Sequence, residues 1–385
     1  MDQTTWAIAE LEKTTIKLRR VAVKNEWKLP YTTDAQGNYD NRADQTVHYE
    51  IDNGINWWTN GFWAGILWRL YARTKDPQYL DYARKQEQML APCFTQYEGL
   101  HHDVGFMFLP SAVADYLLTG DHHAKVTGLH AASLLAGRFN PAGSFIRAWN
   151  DLPGSTQDTR GWAIIDCMLN ISLLFWASRE TKDPRFAQIA MAHADTVMQA
   201  FVRADGSCCH IVEFDPESGK RLKSHGGQGF AHGSAWTRGQ GWGVYGFANA
   251  YRNSGKKSYL ETAQKIAEYC LTKIDASYVI PIDFDQPSDC TFEDSCGACV
   301  LACGFLTLAK LTKDQHKATC YAETGYRIIR QIAEHRADYS DHCDAIVQNC
   351  SASFHNKEHH VTMVYADYYY LEALDLLSGS DFGIW

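Results

Sequence analysis

No apolar stretch of the 385-residue chain reaches 18 residues, so no membrane-spanning helix is expected. The opening Met1-Asp2-Gln3-Thr4-Thr5 has neither a basic n-region nor an apolar h-region and does not read as a secretory signal. Positive charge is scarce: 36 basic side chains face 45 acidic ones, a formal charge of −9. That balance argues against a broad grip on nucleic acid or on an anionic membrane. It leaves room for a small acidic ligand held by a few local cations. Charged residues make up only 21% of the chain and aromatic ones 13%, which excludes a disordered chain. Linkers and low-complexity segments are lacking too. Residues 1–385 therefore read as a single domain, long enough to bury a large core.

Metal-binding signatures are also missing. The chain has 12 cysteines and no secretory signal, which reads as reduced thiols in a cytoplasmic protein. Cys296, Cys299 and Cys303 are the tightest group, and their i, i+3, i+7 spacing suits one face of a buried helix as well as a ligand set. No second Cys/His pair lies nearby at ligand spacing, and no His-Glu-x-x-His occurs. The pairs His101-His102, His122-His123 and His359-His360 are adjacent in sequence, and adjacent residues on a helix point apart. No metal and no cofactor is expected.

What the chain does contain is a repeat. Thr74-Lys75-Asp76-Pro77 returns as Thr181-Lys182-Asp183-Pro184, with weaker copies starting at Thr119, Ser254 and Thr312, between 45 and 73 residues apart. Each copy follows an apolar, aromatic segment and precedes an amphipathic one. The pattern predicts a helix, a tight turn, and a second helix capped by Asp with Pro in its first turn. Five such hairpins are visible. A sixth pair forms from Trp6 to Val23 and Val361 to Leu377, which closes the ends on each other and covers the apolar face of an open array. The expected fold is all-α, an (α/α)6 barrel of six hairpins with the more apolar helix of each inside. Cys209 to Phe214 reads as part of one small β ribbon.

In such a toroid the segments before each inner helix gather at one rim. Here they bring Trp, His, Asp, Gln and Arg together. Tryptophans stack on sugar rings, but they are also common in helical cores. Asp166 lies in the apolar run Trp162-Ala163-Ile164-Ile165-Asp166-Cys167-Met168-Leu169, where the segment before an inner helix meets its first turn and a carboxylate is costly. Burial would raise its pKa and suit it to proton donation, while the helix macrodipole would favour the ionised form. A structural Asp bonded to backbone is the plain alternative, and the company of Asp103 speaks for chemistry. Asp103 precedes Pro110-Ser111-Ala112-Val113, where the next inner helix is placed. Arg238, between Trp236 and Trp242, offers one cation with stacking walls, which suits a single carboxylate. Gln228 and His210 would otherwise read as solvated turn residues.

These segments resemble the unsaturated glucuronyl hydrolases of glycoside hydrolase family 88. The resemblance runs from about Trp57 to Leu377. It is carried by His102-Asp103-Val104-Gly105-Phe106, Gly161-Trp162-Ala163-Ile164-Ile165-Asp166-Cys167 and Ser234-Ala235-Trp236-Thr237-Arg238-Gly239-Gln240-Gly241-Trp242. The family shares the (α/α)6 barrel. The resemblance implies hydration of the vinyl ether in a 4,5-unsaturated uronic acid, the end group that polysaccharide lyases leave on oligosaccharides. Asp166 would protonate C4 and then activate the water that adds at C5. Asp103 would hold ring hydroxyls and help keep Asp166 protonated. By the same resemblance His210 and Gln228 match polar positions, and Trp58, Asn140, Trp149, Trp236, Arg238 and Trp242 match substrate-lining ones. The implied partner is a small acidic oligosaccharide from glycosaminoglycan. In streptococcal-type relatives a C-terminal Ser/Lys cluster favours sulfated disaccharides, a pattern from which Ser351-Ala352-Ser353-Phe354-His355-Asn356-Lys357 departs. The related unsaturated rhamnogalacturonyl hydrolases are the nearest rival. An (α/α)6-barrel sugar epimerase would need paired inner-helix histidines, and a sugar-binding protein would not need Asp166.

Overall fold

The recurring turns build the architecture. Lys75 and Lys182 end the helices before them in the left-handed conformation, at φ 58° and 57°. Asp76, Asp121, Asp183 and Asp314 then accept hydrogen bonds from backbone N–H groups in the first turn of the next helix. Pro77 and Pro184 fill first helical positions, where no N–H is needed. Only the copy at Ser254 differs, since Lys256 makes no side-chain cap. The computed structural model describes residues 2–45, 53–97, 99–152, 154–380 and 382–385.

These turns alternate inner and outer helices. The inner series is Gly61–Thr74, Val104–Phe108 running through a π-helical turn (Leu109–Val113) into Ala114–Thr119, Cys167–Asn170 running into Ser172–Thr181, Thr237–Ser254, Ser295–Leu311 and Val364–Ser378. Their partners outside are Pro77–Leu90, His122–Gly137, Pro184–Ala200, Lys257–Lys273, Gln315–His335 and Gln3–Lys24. Inner helices are buried nearly all round, whereas an outer helix such as Pro77–Leu90 buries one stripe: Tyr79, Tyr82, Ala83, Gln86 and Leu90. Cys296, Cys299 and Cys303 are all buried on one inner helix.

The ends do close on each other. Thr4 Oγ1 donates to the Leu377 carbonyl at 3.3 Å, and Gln3 Nε2 donates to Glu323 at 2.7 Å. Inside, the buried Arg69 of the first inner helix reaches Glu372 at 2.6 Å and Asp375 at 2.9 Å on the last. The result is the (α/α)6 barrel. Among the described residues no helix is long and apolar enough to cross a membrane.

The segment before the third inner helix carries a strand, Trp162–Ile164. It pairs antiparallel with Ile211–Phe214, which pairs in turn with Arg221–His225, so the expected ribbon has a third strand. Backbone pairing satisfies those amides at a point where no helical turn has yet formed. The second inner helix starts at Val104, not near Pro110. Pro110 lies inside the π-helical turn, where the wider backbone loop accommodates a residue without an N–H.

Candidate active site

The three-stranded sheet leads directly into the site. After Ile164 the Ile165 N–H still donates to the His210 carbonyl at 3.1 Å, and then the chain turns into the helix at Cys167. Asp166 occupies the capping position of that helix in a helical backbone conformation, φ −66°, and its carboxylate caps nothing. Asp103 stands in the same way before Val104, also without a cap bond. Two inner helices therefore present a carboxylate at their N-terminal ends. Gly105 permits their approach, because a Cβ there would lie 2.5 Å from the Asn170 Cα.

Both carboxylates line a cavity of about 440 Å³. Its walls also hold Trp58, Trp149, Gln228, Trp236, Arg238 and Trp242, so eight of the ten residues singled out in the sequence meet there. His210 stands directly behind them: its Nδ1 accepts the Gln228 N–H at 3.0 Å and its ring lies 4.3 Å from that of Trp236. Gly227, at φ +59°, makes that bond possible, since a Cβ would fall 2.0 Å from the His210 Nδ1. Asn140 is not brought to the cavity. Its amide donates to the Pro216 carbonyl and its oxygen accepts the Gly143 N–H, so it shapes the Phe139–Ile146 hairpin. Asn150 lies on the cavity wall instead, and Trp57 lines it beside Trp58.

The carboxylates differ in charge for physical reasons. Burial pushes Asp166 up to about 7; the nearby His102 opposes this and Asp103 adds to it. Asp103 is also buried, but His102 and the Asn170 amide hold it below its ordinary value. The Asn170 Nδ2 donates to Asp103 Oδ1 at 3.0 Å. Burial lowers His210 to about 3, so it is neutral, and with Nδ1 accepting, its proton sits on Nε2. Arg238 is 2% exposed and donates to the Tyr365 hydroxyl and the Ala352 carbonyl, with Asp294 at 3.6 Å. Gln228 Nε2 donates to the same carbonyl at 2.8 Å, which seats the Ser351–Lys357 stretch against the cavity.

Several buried polar atoms here lack a protein partner: Asp166 Oδ1, His210 Nε2 and the indole N–H groups of Trp57 and Trp236. Buried polar atoms are nearly always bonded, so this concentration marks a place for a hydroxyl-rich ligand. Donor atoms of His101, His102 and Asp103 lie within 4.8 Å of one another. The Asp103 carboxylate faces both imidazoles and takes the Asn170 N–H.

Sequence reasoning passed over His102 and Asn170. His102 was set aside because adjacent histidines diverge on a helix, but residues 101–103 form the turn before one. Asn170 stands one helical turn after Asp166, a spacing that would have flagged it.

A closed (α/α)6 barrel with two unlike carboxylates among tryptophans at one end suits a glycoside hydrolase. Residues 31–369 match the model described as Glycosyl Hydrolase Family 88, and the chain belongs to that family. It is 34% identical to the unsaturated glucuronyl hydrolase of Bacillus sp. strain GL1, over 89% of this chain and 92% of that protein. Identity is also 34% to the unsaturated chondroitin disaccharide hydrolase of Streptococcus pneumoniae, over 82% and 81%. The crystal structure of the Bacillus sp. GL1 enzyme superposes with a TM-score of 0.86 at 31% identity, covering 96% of this chain and 95% of that one.

Proposed function

We propose that this glycoside hydrolase hydrates the 4,5 double bond of an unsaturated uronic acid at the non-reducing end of lyase-generated glycosaminoglycan oligosaccharides, with Asp166 as acid and base. The observation that carries the reading is the unequal pair: Asp166 raised to about 7 beside an ionised Asp103 at one cavity wall. A carboxyl near 7 holds its proton at neutral pH and can still release it. Asp166 gives that proton to C4, and positive charge develops at C5 and the ring oxygen. Asp166, now a carboxylate, takes a proton from water as its oxygen bonds C5, so one water is added overall. The hemiketal opens, C1 becomes a hemiacetal, and the remaining sugar leaves.

The other residues suit this substrate. The ionised Asp103 accepts hydrogen bonds from ring hydroxyls, and the His210 Nε2–H and Gln228 face the glycosidic oxygen and the water. Arg238, with its guanidinium 4.8 Å from the Trp236 ring, gives positive potential for the uronate. Trp58, Trp149 and Trp242 supply stacking walls. The substrate class is the one in the names of the Bacillus and Streptococcus relatives. Twelve free cysteines, nine of them buried, suit a reducing, cytoplasmic setting. The geometry of the described residues supports reading 1–385 as one catalytic domain, since Gln3–Lys24 completes the ring of outer helices.

The test follows the ultraviolet absorbance of the conjugated enoate in an unsaturated chondroitin or hyaluronan disaccharide. Decay with the wild-type protein is expected. Decay only on an unsaturated rhamnogalacturonan disaccharide would move the substrate to pectin fragments, and none on either would overturn the reaction.

A further inference from the structure

We infer that His102 is a positioning residue whose imidazolium, wedged between Asp103 and Asp166, holds the two carboxylates in opposite protonation states. The inference rests on the acid/base reading of Asp166. His102 is fully buried. Its Nε2 lies 3.4 Å from Asp103 Oδ2 and 3.8 Å from Asp166 Oδ1, and neither approach has hydrogen-bond geometry, so both ring nitrogens lack a formal partner. The backbone fixes the ring's place, because the His102 N–H donates to the Ala148 carbonyl at 3.3 Å.

Two carboxylates enclosed together would ordinarily share one proton, with one of them driven far upward. A cation between them changes the arithmetic of charge. Imidazolium, ionised Asp103 and protonated Asp166 sum to zero, the combination a dry pocket favours. The asymmetry decides which carboxylate is ionised: Asp103 is nearer to His102 and also takes the Asn170 N–H at 3.0 Å. Once Asp166 has given up its proton, the same imidazolium faces the new carboxylate and eases its formation.

Other titratable groups face the ring. Its own pKa is pulled down by burial, yet Asp103 and Asp166 carry it well above the ordinary histidine value. Burial pushes the Cys167 thiol up and His102 pulls it down. His193 and His210 are both low, about 3, from burial first; the His102 charge adds to this at His193, and Arg238 and then His102 at His210. His101 Nδ1 lies 3.5 Å from Asp103, and Arg138 adds a cation within range of Asp103 and Cys167.

Two measurements test this. Neutron diffraction from wild-type crystals at neutral pD should show deuterium on both His102 nitrogens; a neutral ring would overturn the inference. The pH profile of kcat/KM for His102→Gln should show the alkaline limb moved upward by roughly one unit or more, because a cation no longer lowers Asp166. An unmoved limb in a folded variant would also overturn it, and if the variant does not fold, the neutron map alone decides. Loss of function on unsaturated disaccharides would remove the proposed reaction without touching the ring's protonation, so the two ideas fail separately.

Discussion

Asn170 spans two inner helices: its amide donates to Asp103 Oδ1 at 3.0 Å while its own oxygen accepts the Phe106 N–H at 2.7 Å. One side chain thus sets the orientation of a carboxylate and ties down the first turn of the helix that carries it. Asn170→Ala strips Asp103 of a donor and leaves a buried N–H without a partner. Expected are a loss of about 1–3 kcal/mol in denaturant unfolding and a lower kcat. Wild-type kcat in the variant would show that Asp103 is held by other groups.

Asp166→Asn keeps the shape of the side chain and removes its transferable proton. The variant should fold with an unchanged near-ultraviolet circular dichroism spectrum and lose roughly 10²-fold or more of its turnover. Substantial residual hydration would take Asp166 out of the proton-transfer role.

The pH profile follows from the direction of the Asp166 shift. The acid form is the reactive one and is present below a pKa of about 7. Above it the carboxylate predominates, and kcat/KM should fall about tenfold per pH unit. A profile flat to pH 9 contradicts the assignment.

Arg238 is fixed by Tyr365, the Ala352 carbonyl and Asp294. Replacing it with Ala removes a cation from the cavity and leaves Asp294 buried without one. Arg238→Ala should raise KM for an acidic disaccharide roughly tenfold or more and also lower Tm. An unchanged KM removes Arg238 from substrate binding.

Arg69 is far from the cavity chemistry in role, yet central to closure. Arg69→Ala leaves the buried Glu372 without its cation and Asp375 with Arg73 alone, a loss expected at about 3–5 kcal/mol in stability. Thermal unfolding measures it, and a Tm within a degree of wild type would mean the carboxylates find protons instead.

The hairpins were legible because Asp76-Pro77 and Asp183-Pro184 encode a helix start through local chemistry alone. Closure by the chain ends was legible as well, since an open array would leave apolar faces in water. The strand at Trp162–Ile164 was not, because a short apolar run suits strand and helix alike and only pairing with Ile211–Phe214 decides. Asn140 was carried to the cavity by resemblance, and its hydrogen bonds spend it on a hairpin. His102 escaped notice because its importance lies in two carboxylates, one of them 64 residues away along the chain.

The pairing of Gln3–Lys24 with Val364–Ser378 has a consequence for biosynthesis. Gln3–Lys24 is made before every intervening hairpin and Val364–Ser378 after them, so the outer helix waits as a lone amphipathic segment while the hairpins assemble. Leu11, Leu18 and Val21, buried in the finished ring, stay open to water during that wait. The ring therefore closes only once Val364–Ser378 has been made, and losing either of the two helices opens it.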